Sequence, residues 1–117
     1  MASLSTHVLD TSRGMPASGI PVALHVIEGE RRRLVASSVT NADGRTDSPL
    51  LSADRLEVGV YELTFHAGVY LSASSTAASD PPFLGDIVVR VGIADPLGRY
   101  HVPLLLSPYG YSVYRGS

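Results

Sequence analysis

Alternation with a period of two, repeated in short stretches separated by turn residues, is what most restricts how this chain folds. Ile20, Val22, Leu24 and Val26 alternate with Pro21, Ala23 and His25; Tyr61, Leu63 and Phe65 with Glu62, Thr64 and His66; and Ile87, Val89, Val91 and Ile93 with Val88, Arg90 and Gly92. Successive side chains of a strand point to opposite faces, so each stretch reads as a strand with one face in a core. Residues 4–9 add a first strand, with Ser5, His7 and Leu9 on one face and Leu4, Thr6 and Val8 on the other. A serine-diluted strand is expected over 34–40, and a further short one over 50–57. Turns fall in the connection 10–19, at Glu28-Gly29-Glu30, in the polar loop 41–49 with its Asp43-Gly44 signal, and at Asp95-Pro96-Leu97-Gly98. Residues 69–79, rich in alanine and serine and stopped by Pro81-Pro82, are expected to form a short surface helix. Seven or eight short strands with one helix predict an all-β chain folded as a two-sheet sandwich.

The closing stretch departs from simple alternation. His101, Pro103 and Leu105 share one face of a strand over 101–106 and Val102, Leu104 and Leu106 the other, so both faces are apolar. Such a strand is expected to be covered twice, by the chain's own core and by another subunit, with His101 on the second face. Pro108 and Gly110 then turn the chain into a last short strand, where Tyr111, Val113 and Arg115 alternate with Ser112 and Tyr114.

A chain of 117 residues is expected to form one domain, 1–117, that needs no staples. It has no cysteine, which removes disulfides, a thiol nucleophile and thiolate metal sites. All nine basic residues are arginine, and the net charge is -2. Schiff-base chemistry through lysine is therefore excluded, and a basic nucleic-acid footprint is not supported. Arg31-Arg32-Arg33 reads as a solvated strand edge. No basic segment leads into an apolar stretch, and no run reaches membrane-spanning length, so a soluble, cytoplasmic, bacterial protein without a membrane partner is expected.

Three blocks carry a family likeness. The chain ends in Tyr114-Arg115-Gly116-Ser117; it opens with Leu4-Ser5-Thr6-His7-Val8-Leu9-Asp10 followed by Gly14-Met15-Pro16-Ala17; and its middle holds Thr40-Asn41-Ala42-Asp43-Gly44-Arg45-Thr46-Asp47. In this order the blocks resemble the signatures of the transthyretin-related 5-hydroxyisourate hydrolases. Val113 departs from them, standing where the family usually has threonine, and residues 67–85 carry little of the likeness.

The resemblance implies a transthyretin-like sandwich that assembles as a homotetramer, a dimer of dimers, with each active cleft shared between subunits. It also groups His7, Arg45 and His101 as the catalytic set, which their wide separation in sequence would not have done. The implied reaction is cofactor-free hydrolysis of 5-hydroxyisourate, the unstable product of urate oxidation. Water attacks a ring carbonyl and the lactam C–N bond opens, to 2-oxo-4-hydroxy-4-carboxy-5-ureidoimidazoline. A neutral imidazole suits activation of water, and the cationic fork of Arg45 suits the carbonyl oxygen on which charge develops. His7 and His101 share water activation and proton transfer to the leaving nitrogen, in either order. Arg45, Tyr114, Arg115 and Ser117 are expected to bind or orient the substrate.

Competing readings are weaker. His25 and His66 lie on the polar faces of their strands and read as solvated. No closely spaced histidine pair marks a zinc site, and the loop 39–50 lacks the first and last ligands of a calcium loop, so no metal is expected. A non-catalytic binding protein on the same scaffold, like transthyretin itself, would lack the Tyr-Arg-Gly-Ser ending and the His, Arg, His set. A structural sandwich module would show neither motif.

Overall fold

The computed structural model describes residues 2–74 and 79–117. Along the chain run β1 (Ser3–Asp10), β2 (Met15–Pro16), β3 (Pro21–Glu28), β4 (Arg31–Val39), β5 (Gly59–His66), α1 (Gly68–Ser74), β6 (Asp86–Ile93), β7 (Arg99–Ser107) and β8 (Gly110–Val113). They build two four-stranded sheets, ordered β2-β1-β7-β8 and β4-β3-β5-β6. This is the two-sheet sandwich with one short helix that the alternation predicts.

The core is the sum of the inward-facing alternate residues. Leu4, Val8, Leu104 and Leu106 of the first sheet join Val22, Leu24, Leu63, Phe65, Ile87 and Ile93 of the second in one cluster, each at most 2% exposed. Polar groups that enter this layer bring partners with them, as buried hydroxyls must. Thr6 donates to the Val102 carbonyl (2.6 Å), tying β1 to β7 from inside. Thr40 donates to the Ala17 carbonyl (2.8 Å) and accepts the Ile20 amide (2.9 Å). At the end of β1, Asp10 accepts from Tyr70 of α1 (2.6 Å) and from the amides of Ser12 and Arg13. Burial pushes its carboxyl up, but the bonds from Tyr70, Ser12 and Arg13 outweigh that and hold it below the usual carboxylate value.

Several boundaries differ from the sequence expectation, each for a physical reason. Residues 50–57 form no strand: Leu50, Leu51 and Leu56 are buried around a turn in which Ser52 accepts the amides of Arg55 and Leu56, and Leu51 makes only a single bridge to Leu4. β4 begins at Arg31, not Leu34, because a tight turn at Gly29 (φ 65°) pairs Arg31 with Glu28. Residues 10–19 include a short strand, Met15–Pro16, paired with Leu9 and Asp10. β8 stops at Val113, although Gly116 bridges back to His101. The helix occupies 68–74, and the part of the expected helix at 75–78 lies outside the described residues.

The polar face of β5 is not the solvated face expected. β5 lies between β3 and β6, and Glu62 and Thr64 are buried at 7% and 4% exposure. Arg32 reaches from the edge strand to Glu62 (2.9 Å) and Thr64 (3.2 Å), while Arg90 meets the other Glu62 oxygen (2.9 Å). The two guanidiniums, Arg90 first, hold the Glu62 carboxyl below its usual value. Arg32 is thus a lid on Glu62 rather than a free edge charge. His25, also expected to be solvated, is half-buried opposite Glu62 with its Nδ1 shielded and without a hydrogen bond. His66 is half-buried and pairs with Asp86 (2.9 Å).

Leu104 is fully buried at the centre of β7. Replacing it with alanine is expected to cost about 2–5 kcal/mol, by the loss of buried methyls and the cavity left behind. Urea unfolding at constant m-value measures this, and a loss below about 1 kcal/mol would show that the core collapses around the gap.

Candidate active site

β1 and β7 pair side by side and parallel, with Ser5 opposite His101 and His7 opposite Pro103. All four belong to the outward face of the sheet, because their neighbours Leu4, Thr6, Val102 and Leu104 fill the inward one. The two imidazoles stand 6.5 Å apart between ring centroids, tilted by 37°. That spacing leaves room for a bridging water.

Arg45 arrives from the 41–47 loop, which closes on β1 through a bridge between His7 and Arg45. Asn41 organises this loop. Its side-chain oxygen accepts the amides of Asp43 (2.9 Å) and Arg45 (3.2 Å), its side-chain nitrogen donates to Asp47 (3.0 Å), and its carbonyl accepts the Gly44 amide (2.9 Å). Short side chains that bond to their own following backbone favour such turns. Gly44 (φ 76°) is where only glycine fits: a Cβ there would collide with the Val8 carbonyl oxygen and lie 3.3 Å from Cδ2 of His7. The loop backbone therefore lies directly against the first histidine. It also orients it, since Nε2 of His7 is 2.8 Å from the Asp43 carbonyl. A carbonyl only accepts, so Nε2 carries the proton of that bond, and Nδ1 is the nitrogen left to exchange one.

His101 is held in the same way from the other side. The amide of Gly116 donates to the His101 carbonyl (2.7 Å), and a Cβ on Gly116 would lie 2.7 Å from Cδ2 of the ring and 3.2 Å from Pro103. Only a residue without a side chain lets the terminal segment close this tightly over the imidazole. On the opposite ring edge, Oγ of Ser5 is 2.8 Å from Nδ1. Burial first, then the positive charge of Arg45 and the neighbouring His7, push the pKa of His101 below the usual 6.5, so the neutral imidazole is favoured.

Ser5, Arg45, Arg99, Tyr100, His101 and Ser117 are among the residues that line a pocket of roughly 380 Å³. Of the residues expected from sequence, Arg45, His101 and Ser117 line this pocket, while His7 is not part of its lining and stands beside it, its ring 6.5 Å from that of His101. Tyr114 and Arg115 do not line this pocket within one chain; they border a separate groove with Val89, Val91 and Val113. Arg115 donates to the Arg99 carbonyl (3.2 Å) and lies 4.3 Å over the Tyr100 ring, a cation–π contact that anchors the terminal segment. Val113 is half-buried and packs against the core, so its methyl groups have a place where no hydroxyl is needed.

Ser5, Asn41 and Arg99 were not singled out from sequence. Ser5 shares the outward face with His7 in the alternation, which is a signal, but its tie to His101 depends on a parallel pairing that local sequence does not encode. On the same sheet face Pro103 is already buried within the chain, while His101 and Leu105 remain half-exposed.

The profile of the HIUase/Transthyretin family matches residues 4–116. A 5-hydroxyisourate hydrolase 2 of Rhizobium meliloti (strain 1021) is 52% identical over 114 residues, covering 97% of this chain and 95% of that one. Among solved structures, the 5-hydroxyisourate hydrolase of Klebsiella pneumoniae superposes with a TM-score of 0.81 at 36% identity over the whole of both chains. An (S)-allantoin synthase superposes with a TM-score of 0.91 at 44% identity; it covers 99% of this chain, which in turn spans 44% of the synthase.

The charge environment of His101 can be tested directly. In an NMR titration its ring is expected to protonate below 6.5, and Arg45→Gln is expected to move that midpoint upward by removing a cation that opposes protonation. An unchanged midpoint in the variant would show that burial and His7 set it without Arg45.

Proposed function

The chain belongs to the HIUase/Transthyretin family, and from that premise we propose that it is a hydrolase that opens the lactam ring of 5-hydroxyisourate with water. What supports the reading most is the convergence of His7, Arg45 and His101, which lie far apart in sequence, at one face of the β1–β7 pair beside a pocket.

Each group has a task suited to its setting. His101, kept neutral by burial and the adjacent Arg45, takes a proton from the attacking water, a step that typically contributes ~10²- to 10⁴-fold. The new C–O bond forms at the ring carbonyl, and the negative charge that develops on its oxygen is met by the guanidinium of Arg45. The proton taken up by His101 passes to Nδ1 of His7, the nitrogen not engaged by Asp43, and from there to the ring nitrogen as the C–N bond breaks, which returns both imidazoles to their neutral forms. Ser117 borders the pocket and orients the bound ring. Tyr114 and Arg115 are assigned to the cleft wall, contributed across a subunit interface. No metal or organic cofactor enters the scheme.

The proposal includes a homotetramer, a dimer of dimers, with the sites at its interface, and a cytoplasmic setting in urate degradation. Supporting the assembly are the half-exposed Leu9, His101 and Leu105 on the outward face of the first sheet, an apolar surface that a second copy would cover.

The deciding assay is the ultraviolet decay of 5-hydroxyisourate generated from urate by urate oxidase, with and without the protein. Acceleration well above the spontaneous rate is expected, falling on acidification as His101 protonates below 6.5. His101→Asn and Arg45→Ala are each expected to remove most of it, on the order of 10²-fold or more, while leaving the sandwich folded. Retained turnover in either variant would remove that residue from the scheme. Light scattering at micromolar concentration is expected to give the mass of four chains, and a monomer would overturn the shared-cleft assignment.

A further inference from the structure

The imidazole of His101 is held on two sides. Ser5 Oγ meets Nδ1 at 2.8 Å, and the Gly116 backbone closes against Cδ2. Nε2 makes no hydrogen bond among the described residues, and Ser5, Arg45 and His101 line the same pocket. A serine hydroxyl can either donate or accept, so the contact is compatible with two tautomers of opposite use. If the hydroxyl donates to Nδ1, the proton sits on Nε2 and His101 faces the pocket as a donor. If it accepts from Nδ1–H, the Nε2 lone pair faces the pocket.

Resting on the hydrolase reading, we propose that Ser5 is a positioning residue of this site: its oxygen accepts the Nδ1 proton of His101 and so presents the Nε2 lone pair as the acceptor for the proton of the attacking water. Two physical points select this direction. The cationic Arg45 shares the pocket, and a cation attracts a lone pair and repels an N–H dipole. When Nε2 gains its proton, both ring nitrogens become donors; an oxygen already accepting at Nδ1 then needs no reorientation as charge develops, whereas a donating hydroxyl would have to turn round. The water's proton moves to Nε2, its oxygen to the carbonyl carbon, and the Nδ1–H to Ser5 bond persists throughout. Sheet geometry makes the arrangement rigid, because Ser5 and His101 are directly paired across β1 and β7.

The test combines spectroscopy with kinetics. Nitrogen-15 shifts of the His101 ring in the wild-type protein, above its titration midpoint, are expected to show Nδ1 protonated and Nε2 bare. Ser5→Ala is expected to mix the tautomers and lower kcat on the order of tenfold or more with KM little changed, and Ser5→Thr, which keeps a hydroxyl, to restore most of the rate. A wild-type ring protonated at Nε2, or a Ser5→Ala variant with full kcat, would overturn the inference alone. The wild-type spectrum decides even where Ser5→Ala fails to fold. A wild-type protein without turnover would overturn the hydrolase reading and this role with it, which is a different result from either.

Discussion

Parallel pairing of β1 with β7 is the constraint on which the rest of the molecule depends. It places Ser5 and His7 of one strand beside His101 and Pro103 of another, although 96 residues separate the bonded pair Ser5 and His101. Side chains alternate with a strict period of two, so a slip of one residue would turn the histidines into the core and the leucines out of it. The core resists that slip. Leu4, Val8, Leu104 and Leu106 are fully buried, each burial contributing about 1.5–3 kcal/mol, and the Thr6 hydroxyl reads the Val102 carbonyl from the inner side. The stability of the sandwich and the geometry of the site are therefore two consequences of one register.

Around that register, backbone rather than side chains brings the remaining parts close. Gly44 presses the arginine-bearing loop onto His7, and Gly116 presses the terminal segment onto His101. In both places the missing Cβ is what allows contact with an imidazole. Asn41 holds the first approach and the stacking of Arg115 on Tyr100 the second. The Asp43 carbonyl and the Ser5 hydroxyl then engage one nitrogen on each ring, leaving one nitrogen of each free.

Charge is distributed unevenly over the two sheets. The pocket on the β2-β1-β7-β8 sheet is lined by Arg45 and Arg99 with no Asp or Glu among its lining residues, although the chain as a whole carries -2. Burial first, then Arg45 and His7, disfavour a positive charge on His101, and the guanidinium of Arg45 suits a ring carbonyl that gains negative charge during attack. On the opposite sheet Glu62 is paired by two arginines, which satisfies a buried carboxylate.

Local sequence determined the strands themselves. The alternations at 20–26, 61–66 and 86–93, the Asp43-Gly44 turn and the doubly apolar 101–106 stretch are periodic or short-range signals, and they survive in the structure within a few residues. The motif blocks also contain His7 and Arg45, and the family resemblance added His101. What short-range pattern could not decide was anything that depends on which strand lies beside which: the leucines at 50, 51 and 56 fill the core without forming a strand, and Glu62 is buried because arginines from two neighbouring strands cover it. For the same reason Ser5 looked like an ordinary polar residue on a half-buried strand. Its partner is chosen by strand order and register, which arise from packing of the whole chain, and only the tertiary structure puts its hydroxyl on the imidazole of His101.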